Sequence, residues 1–194
     1  VVPARLVSST EAPPEPEIIL DEVASQRALR RVASAIAERA GGIADLCLVG
    51  IRRGGEPLAA RLAELLAESE GRAPPVGALD ITLYRDDAGL AHPAPRIGPS
   101  RVGFSVRGRR VVLVDDVLYT GRTIRAAVDA LLDYGRPRRI ELAVLVDRGG
   151  RELPIQPDYV GRALEVPPSE RIEVELGPRG FVALRRGAQG EGAR

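Results

Sequence analysis

The chain has 194 residues, 44% hydrophobic and 28% charged, with a formal net charge of +1. That is enough chain to bury a core without disulfides or metals, and too little net charge for a global cationic field. The single cysteine, Cys47, excludes an internal disulfide framework, and no apolar run approaches the roughly 20 residues needed to span a bilayer.

Residues 1–17, with four prolines and three glutamates, read as a disordered tail. They lack the basic-then-apolar order of a secretory signal. With Cys47 in an apolar strand, a cytoplasmic home is expected. Asp21 is placed to cap a helix running to about Ala40, with Gly41-Gly42 as its stop. Leu29, Val32, Ala33, Ile36 and Ala40 share one stripe at helical spacing, and Arg27, Arg30, Arg31 and Ser34 lie opposite. Leu46 to Ile51 is a short buried strand. Arg52-Arg53-Gly54-Gly55 is its turn, and Pro57 suits the first turn of a helix to about Ser69. Ala78 to Arg85 reads as a second strand. The stretch at about 87–107 is rich in Pro and Gly and lacks periodicity, as functional or mobile loops do. It carries His92, the only histidine, which has no Cys or Ser partner for nucleophilic chemistry.

Arg110 to Val114 is the third strand. Thr120 to Asp133 follows as a helix with Ala127, Val128 and Leu131 inward, ended by Gly135 before Pro137. Ile140 to Val146 is nearly all apolar, as in a parallel strand covered on both faces. Shorter strands are expected at Tyr159–Val160, Arg171–Leu176 and Phe181–Arg185, and 187–194 reads as a second disordered tail. Strand alternating with helix predicts an α/β fold with a mostly parallel sheet.

The most informative stretch joins the third strand to its helix. Asp115 and Asp116 end the strand, and Val117-Leu118-Tyr119-Thr120-Gly121-Arg122-Thr123 leads into the helix. Successive amides at a helix start bind anions, and Gly121 lets the backbone come close. The carboxylates suit sugar hydroxyls, or waters around a divalent cation. Ligands of open α/β sheets sit at the carboxyl ends of strands. The chemistry suggested is recognition of a sugar phosphate. A P-loop nucleotidase is disfavoured, because no Gly-Lys-Ser/Thr loop occurs. Every basic residue is Arg, which keeps two-pronged contacts to phosphate available.

This motif resembles the phosphoribosyl-pyrophosphate (PRPP) signature of the type I phosphoribosyltransferases. The resemblance implies that Asp115 and Asp116 contact the ribose hydroxyls and that residues 117–123 hold the 5′-phosphate. Mg²⁺ is then held through substrate and water near the acid pair, without direct protein ligation. Purine-salvage members usually carry Asp where this chain has Tyr119, which argues against a purine. Asp80-Ile81-Thr82-Leu83-Tyr84-Arg85-Asp86-Asp87, Gly135-Arg136-Pro137, Leu142 to Gly149, and Arg151-Glu152-Leu153-Pro154-Ile155 are similar to the bacterial pyrimidine-operon attenuation regulators, which are also uracil phosphoribosyltransferases. The likeness runs from about Ile18 to Leu184.

It implies a single domain at 18–186, with a twisted, mostly parallel sheet flanked by helices and a small base-binding hood from the N- and C-terminal segments. It further implies conversion of uracil and PRPP to UMP and pyrophosphate. Arg52, Arg53 and Gly54 would form the pyrophosphate loop, though the family often has Arg at the place of Gly54. Arg85 would meet the pyrophosphate, and Val146, Asp147 and Arg148 the base. The family's RNA surface would map to Arg27, Arg30, Arg31, Arg151 and Arg162, contacting pyrimidine-operon leader RNA in response to UMP. Relatives often carry His at the place of Gly150, and Thr and His at Arg30 and Ser34. A homodimer or larger homo-oligomer is the family default. A phosphoribosyltransferase for another base, without RNA-dependent regulation, is the alternative.

Overall fold

The computed structural model describes residues 16–40, 42–84, 100–177 and 180–186. In chain order the elements are β1 (Glu17–Leu20), α1 (Glu22–Ala40), β2 (Leu46–Ile51), α2 (Gly55–Glu70), β3 (Val76–Leu79), a 3-10 turn (Thr82–Tyr84), β4 (Arg110–Leu118), α3 (Arg122–Leu132), β5 (Arg139–Asp147), β6 (Tyr159–Ala163), β7 (Arg171–Gly177) and β8 (Gly180–Arg186). Among these, five strands make a parallel sheet in the order β3-β2-β4-β5-β6.

Strand alternation divides the core. Val112, Val114, Ala143 and Leu145 pack with Leu29, Val32, Leu58 and Leu62 of α1 and α2. Val111, Leu113, Leu142 and Val144 face the other way, onto Ile124, Ala127 and Leu131 of α3. All six residues of β2 are buried, which explains its continuous apolar run. From β2 the chain moves outward to β3; from β4 it moves the opposite way to β5. Right-handed crossovers in opposite directions put α2 and α3 on opposite faces and open a crevice between the carboxyl ends of β2 and β4.

The chain's two ends build a separate antiparallel sheet, β1-β8-β7. It is seated on α1 through Leu20, Ile172, Phe181 and Ala183. This is the hood expected from the N- and C-terminal segments. The cap of α1 forms as expected, with Ala24 N donating to Asp21 Oδ1 at 2.7 Å.

Several boundaries differ from the sequence reading. Glu17, assigned to the tail, begins β1 opposite Arg185. The strand expected over 78–85 ends at Leu79. There Asp80 Oδ1 accepts from Thr82 N at 2.9 Å and Thr82 Oγ1 at 2.5 Å, turning the chain. β4 continues to Leu118, because β5 offers it partners as far as Asp147. α3 starts at Arg122 rather than Thr120, since Gly121 holds a left-handed φ of 93°. Val128 lies at the margin of its buried stripe, which Ala126 and Ala130 complete. Residues 100–107 of the long loop are anchored: Arg101 and Ala78 exchange backbone hydrogen bonds of 2.7 and 2.9 Å, and Val106 is fully buried. The rest of that loop, with Arg85 and His92, and most of both tails lie outside the described residues.

At the amino end of the parallel sheet sits a buried ionic cluster. Arg110 Nε and Nη2 reach Glu141 Oε2 at 2.9 and 2.8 Å. Tyr159 Oη donates to the same oxygen at 2.9 Å, and Arg110 Nη2 also reaches Ile36 O at 3.1 Å. No helix of the described residues is long and apolar enough to cross a membrane.

Candidate active site

The acid pair lies within β4, not beyond it. Asp115 sits opposite Val144 and is buried; Asp116 is half-buried. Asp116 N donates to Asp115 Oδ1 at 3.0 Å, and Val117 N to Asp116 Oδ1 at 2.8 Å. Burial holds the Asp115 carboxyl well above the usual carboxylate range, and the charge of Asp116 adds to the effect.

Beyond Leu118 a three-residue loop leads into α3. A cavity of about 290 Å³ opens there, lined by Asp115, Val117 and the run from Leu118 to Ile124. Gly121 supplies the left-handed turn that starts α3. Thr120 Oγ1 accepts from Arg122 N at 3.3 Å. From behind, Glu152 N and Leu153 N donate to Thr120 O at 3.0 and 3.1 Å. The arrangement gives an anion a ring of amides and hydroxyls on a buttressed loop.

The turn after β2 meets β4 at the acid pair. The Arg52-Arg53 peptide is cis. A Cβ on Gly54 would lie 2.1 Å from Asp116 Oδ2, and one on Gly55 would lie 2.0 Å from Val114 O. A side chain at Gly55 would meet backbone and one at Gly54 would displace the Asp116 carboxylate, so the turn packs directly on β4 at Val114 and Asp116. Arg53 is exposed.

At the end of β5, Val146 is buried opposite Val117, and Asp147 pairs with Leu118. Asp147 Oδ1 accepts from Gly149 N at 3.1 Å, and Oδ2 meets Arg151 Nη2 at 2.6 Å. The Arg148 guanidinium is buried: Nη1 donates to Glu170 O at 2.8 Å and Nη2 to Pro167 O at 2.9 Å. It also stacks 4.0 Å from the centre of the Tyr119 ring. Arg148 thus ties the hood segment to the cavity wall. Gly150, at φ 72°, lies where a Cβ would be 2.4 Å from Tyr119 Cε2. Sequence reasoning overlooked this buttress of Arg148, Gly150, Leu153 and Ile155 behind Tyr119 and Gly121; the Gly149-Gly150 pair was its one visible signal.

The arginines grouped for RNA do not stay together. Arg30 turns toward α2 and pairs with Glu68 at 3.0 Å. Arg31 turns toward β6, where Nη2 donates to Gly161 O at 3.0 Å beside exposed Arg162. Arg27 is exposed. Arg151 is internal, bonded to Tyr119 O at 2.8 Å and Ile155 O at 3.0 Å.

A parallel sheet with an acid pair and an anion loop at its switch point defines a phosphoribosyl transferase domain. The family model of that description matches residues 17–177. The bifunctional protein PyrR of Roseiflexus sp. (strain RS-1) is 58% identical over 158 residues, covering 81% of this chain and 86% of that protein. The protein of the same name from Bacillus mycoides (strain KBAB4) is 51% identical over 164 residues, covering 84% and 91%. The chain belongs to the phosphoribosyl transferase family and, within it, to the bifunctional PyrR proteins. Its fold is also that of the hypoxanthine phosphoribosyltransferase of Trypanosoma cruzi, with a TM-score of 0.65 at 20% identity, covering 88% of this chain and 97% of that one.

Proposed function

We propose that this protein transfers the phosphoribosyl group of PRPP to uracil, giving UMP and pyrophosphate, and that UMP in turn governs its binding to pyrimidine-operon leader RNA. The observation that carries the first part is the approach of Gly54 to Asp116, next in the strand to Asp115, which lines the cavity with the 117–124 run. This juxtaposition offers one site for the phosphate, the ribose and the leaving group of a single donor.

In the proposed reaction the bond from ribose C1 to the pyrophosphate oxygen breaks while C1 bonds to uracil N1, whose proton passes to the released pyrophosphate or to water. The sugar passes through an oxocarbenium-like state, as in other glycosyl transfers. No covalent nucleophile is needed. Amides and hydroxyls of residues 117–123 hold the 5′-phosphate, and Asp115 and Asp116 orient the ribose hydroxyls. Arg52 and Arg53 receive the pyrophosphate, together with Arg85. The base lies over the end of β5, at Val146, Asp147 and Arg148, against the Tyr119 wall. Holding donor and base in line supplies much of the acceleration. The two adjacent carboxylates fit a hydrated Mg²⁺ shared with substrate oxygens; among the described residues no three Asp, Glu, His or Cys side chains gather into a cage. Asp115 and Asp116 would hold the waters of such an ion, which would supply charge neutralisation for the departing pyrophosphate.

For the regulatory part, Arg27, Arg31 and Arg162 supply the cationic face along α1 and β6. The protein works in the cytoplasm as a homodimer or larger homo-oligomer. Exposed Leu83, Leu132 and Tyr134 offer apolar surface for self-association.

The test is consumption of PRPP against uracil, hypoxanthine, guanine and orotate. Turnover is expected with uracil alone. Turnover with a purine and none with uracil would replace the assignment with a transferase for another base.

A further inference from the structure

We infer that Glu56 is a positioning residue that aims Arg52 at the diphosphate of the donor; this rests on the phosphoribosyltransferase reading above. Glu56 stands in the first turn of α2, where the free amides of the helix favour a carboxylate. Gly50 of β2 lets it sit low over the sheet: a Cβ there would be 2.5 Å from Glu56 Cα. Its two oxygens are divided between two arginines from different segments. Oε1 takes Arg101 Nη2, and Oε2 lies 3.1 Å from Arg52 Nε. Arg101 is itself fixed by its two backbone hydrogen bonds with Ala78. The carboxylate is therefore shared: one oxygen pairs with Arg101, whose backbone is fixed on β3, and the other faces Arg52.

The hold on Arg52 is ionic. Arg52 Nε is shut off from solvent and lies off-line for a hydrogen bond to Glu56. Among the described residues the Arg52 guanidinium has no other partner, which leaves both Nη groups for an anion. They sit on the turn whose Gly54 abuts Asp116. With its Nε end drawn toward Glu56, the guanidinium keeps the N–H groups of both Nη atoms for a two-pronged contact, the geometry that matches a diphosphate. The three side chains together carry a net single positive charge, so the carboxylate directs Arg52 without making the site repel its ligand.

The test compares wild type, Glu56→Gln, Arg52→Gln and the double variant by calorimetry with pyrophosphate and with UMP, both with Mg²⁺, and by steady-state kinetics. Loss of the charge at Glu56 is expected to weaken pyrophosphate binding and raise the KM for PRPP by about tenfold, the size of one lost charged contact. UMP affinity, the KM for uracil and the melting temperature stay unchanged. In the Arg52→Gln background the same substitution should change pyrophosphate binding by less than about twofold, because its effect runs through Arg52. Arg101→Gln, which frees the anchored oxygen, should weaken pyrophosphate selectively as well. Equal losses for UMP and pyrophosphate, or full additivity in the double variant, overturn the role of Glu56 while leaving the transferase intact. A wild type that binds neither PRPP nor pyrophosphate overturns both readings together.

Discussion

Asp115 is held in the folded chain under two pressures that act in the same direction. Burial and the adjacent Asp116 charge both favour its protonated form. The native state therefore keeps this proton at pH values where the unfolded chain, with an ordinary carboxyl near about 4, has released it. Stability then declines as pH rises above that value, until the native group ionises. Asp115→Asn should accordingly raise the melting temperature at pH 7, with the gain shrinking toward pH 4, while sharply lowering turnover. Calorimetric scans from pH 4 to 8 alongside the assay check both halves. The trade is the familiar one between a strained site and a stable fold. Asp116→Asn and Thr123→Ala should lower UMP formation by about 10²–10³-fold, as loss of a charge-stabilising group does, with far-ultraviolet dichroism unchanged. Gly54→Ala should lower turnover in the same direction as Asp116→Asn, since its methyl group would lie 2.1 Å from Asp116 Oδ2 and push the carboxylate aside. At this scale the sequence displayed the acids and the phosphate loop openly, because they are contiguous. The closeness of Gly54 to Asp116, and the stack of Arg148 on Tyr119, join residues far apart in the chain, and no local pattern announces them.

Among the elements, β4 links two chemistries. Its first residue, Arg110, belongs to the buried cluster with Glu141 and Tyr159, and the acid pair lies roughly 20 Å further along at the usual strand rise. Burial alone would raise the Glu141 carboxyl, but hydrogen bonds from Arg110 and Tyr159 and the nearby arginine charges outweigh it and lower the group below its ordinary value. A depressed carboxyl stabilises the fold above its unfolded value and loses that contribution as pH falls through the folded one, in the acid range below about 4.3. Glu141→Gln should therefore cost about 3–5 kcal/mol at neutral pH, the penalty for leaving a buried arginine unmatched. The difference from wild type should narrow in acid. Denaturant melts give the cost, and an unaltered KM for PRPP would show that this end of the sheet is remote from the site. The helices were legible because their apolar periodicities are long, and β2 because its short apolar run is unbroken. β1 went unread, with its first residue Glu17 assigned to the tail, because four residues pairing with β8 carry no periodic signal. The end of β3 was misplaced because Thr82, Leu83 and Tyr84 favour strands, and the turn set by Asp80 overrode them.

At the scale of the whole molecule, the RNA reading predicts an uneven arginine scan. Arg31→Ala and Arg162→Ala should each reduce the salt dependence of leader-RNA binding by about one phosphate contact. Arg30→Ala should change it little, because that side chain is directed at Glu68. Affinities measured over a series of salt concentrations, with and without UMP, decide the matter; binding no tighter than to scrambled RNA would remove the regulatory role. The sequence suggested one cluster on α1, but a 100° step between neighbouring helix positions divides Arg30 from Arg31, and only the packing of α1 between α2 and β6 shows which goes where.

Tyr119 gives the molecule a built-in optical reporter. The chain has no tryptophan and four tyrosines, so its ultraviolet emission is that of phenol rings, and among the described residues Tyr119 is the one aromatic side chain lining the cavity. With a guanidinium fixed 4.0 Å from its centre, that ring has a rigid, asymmetric surrounding. A nucleotide settling beside it should alter near-ultraviolet dichroism and quench emission, and Tyr119→Leu should silence both signals, so occupancy can be followed without a dye or label.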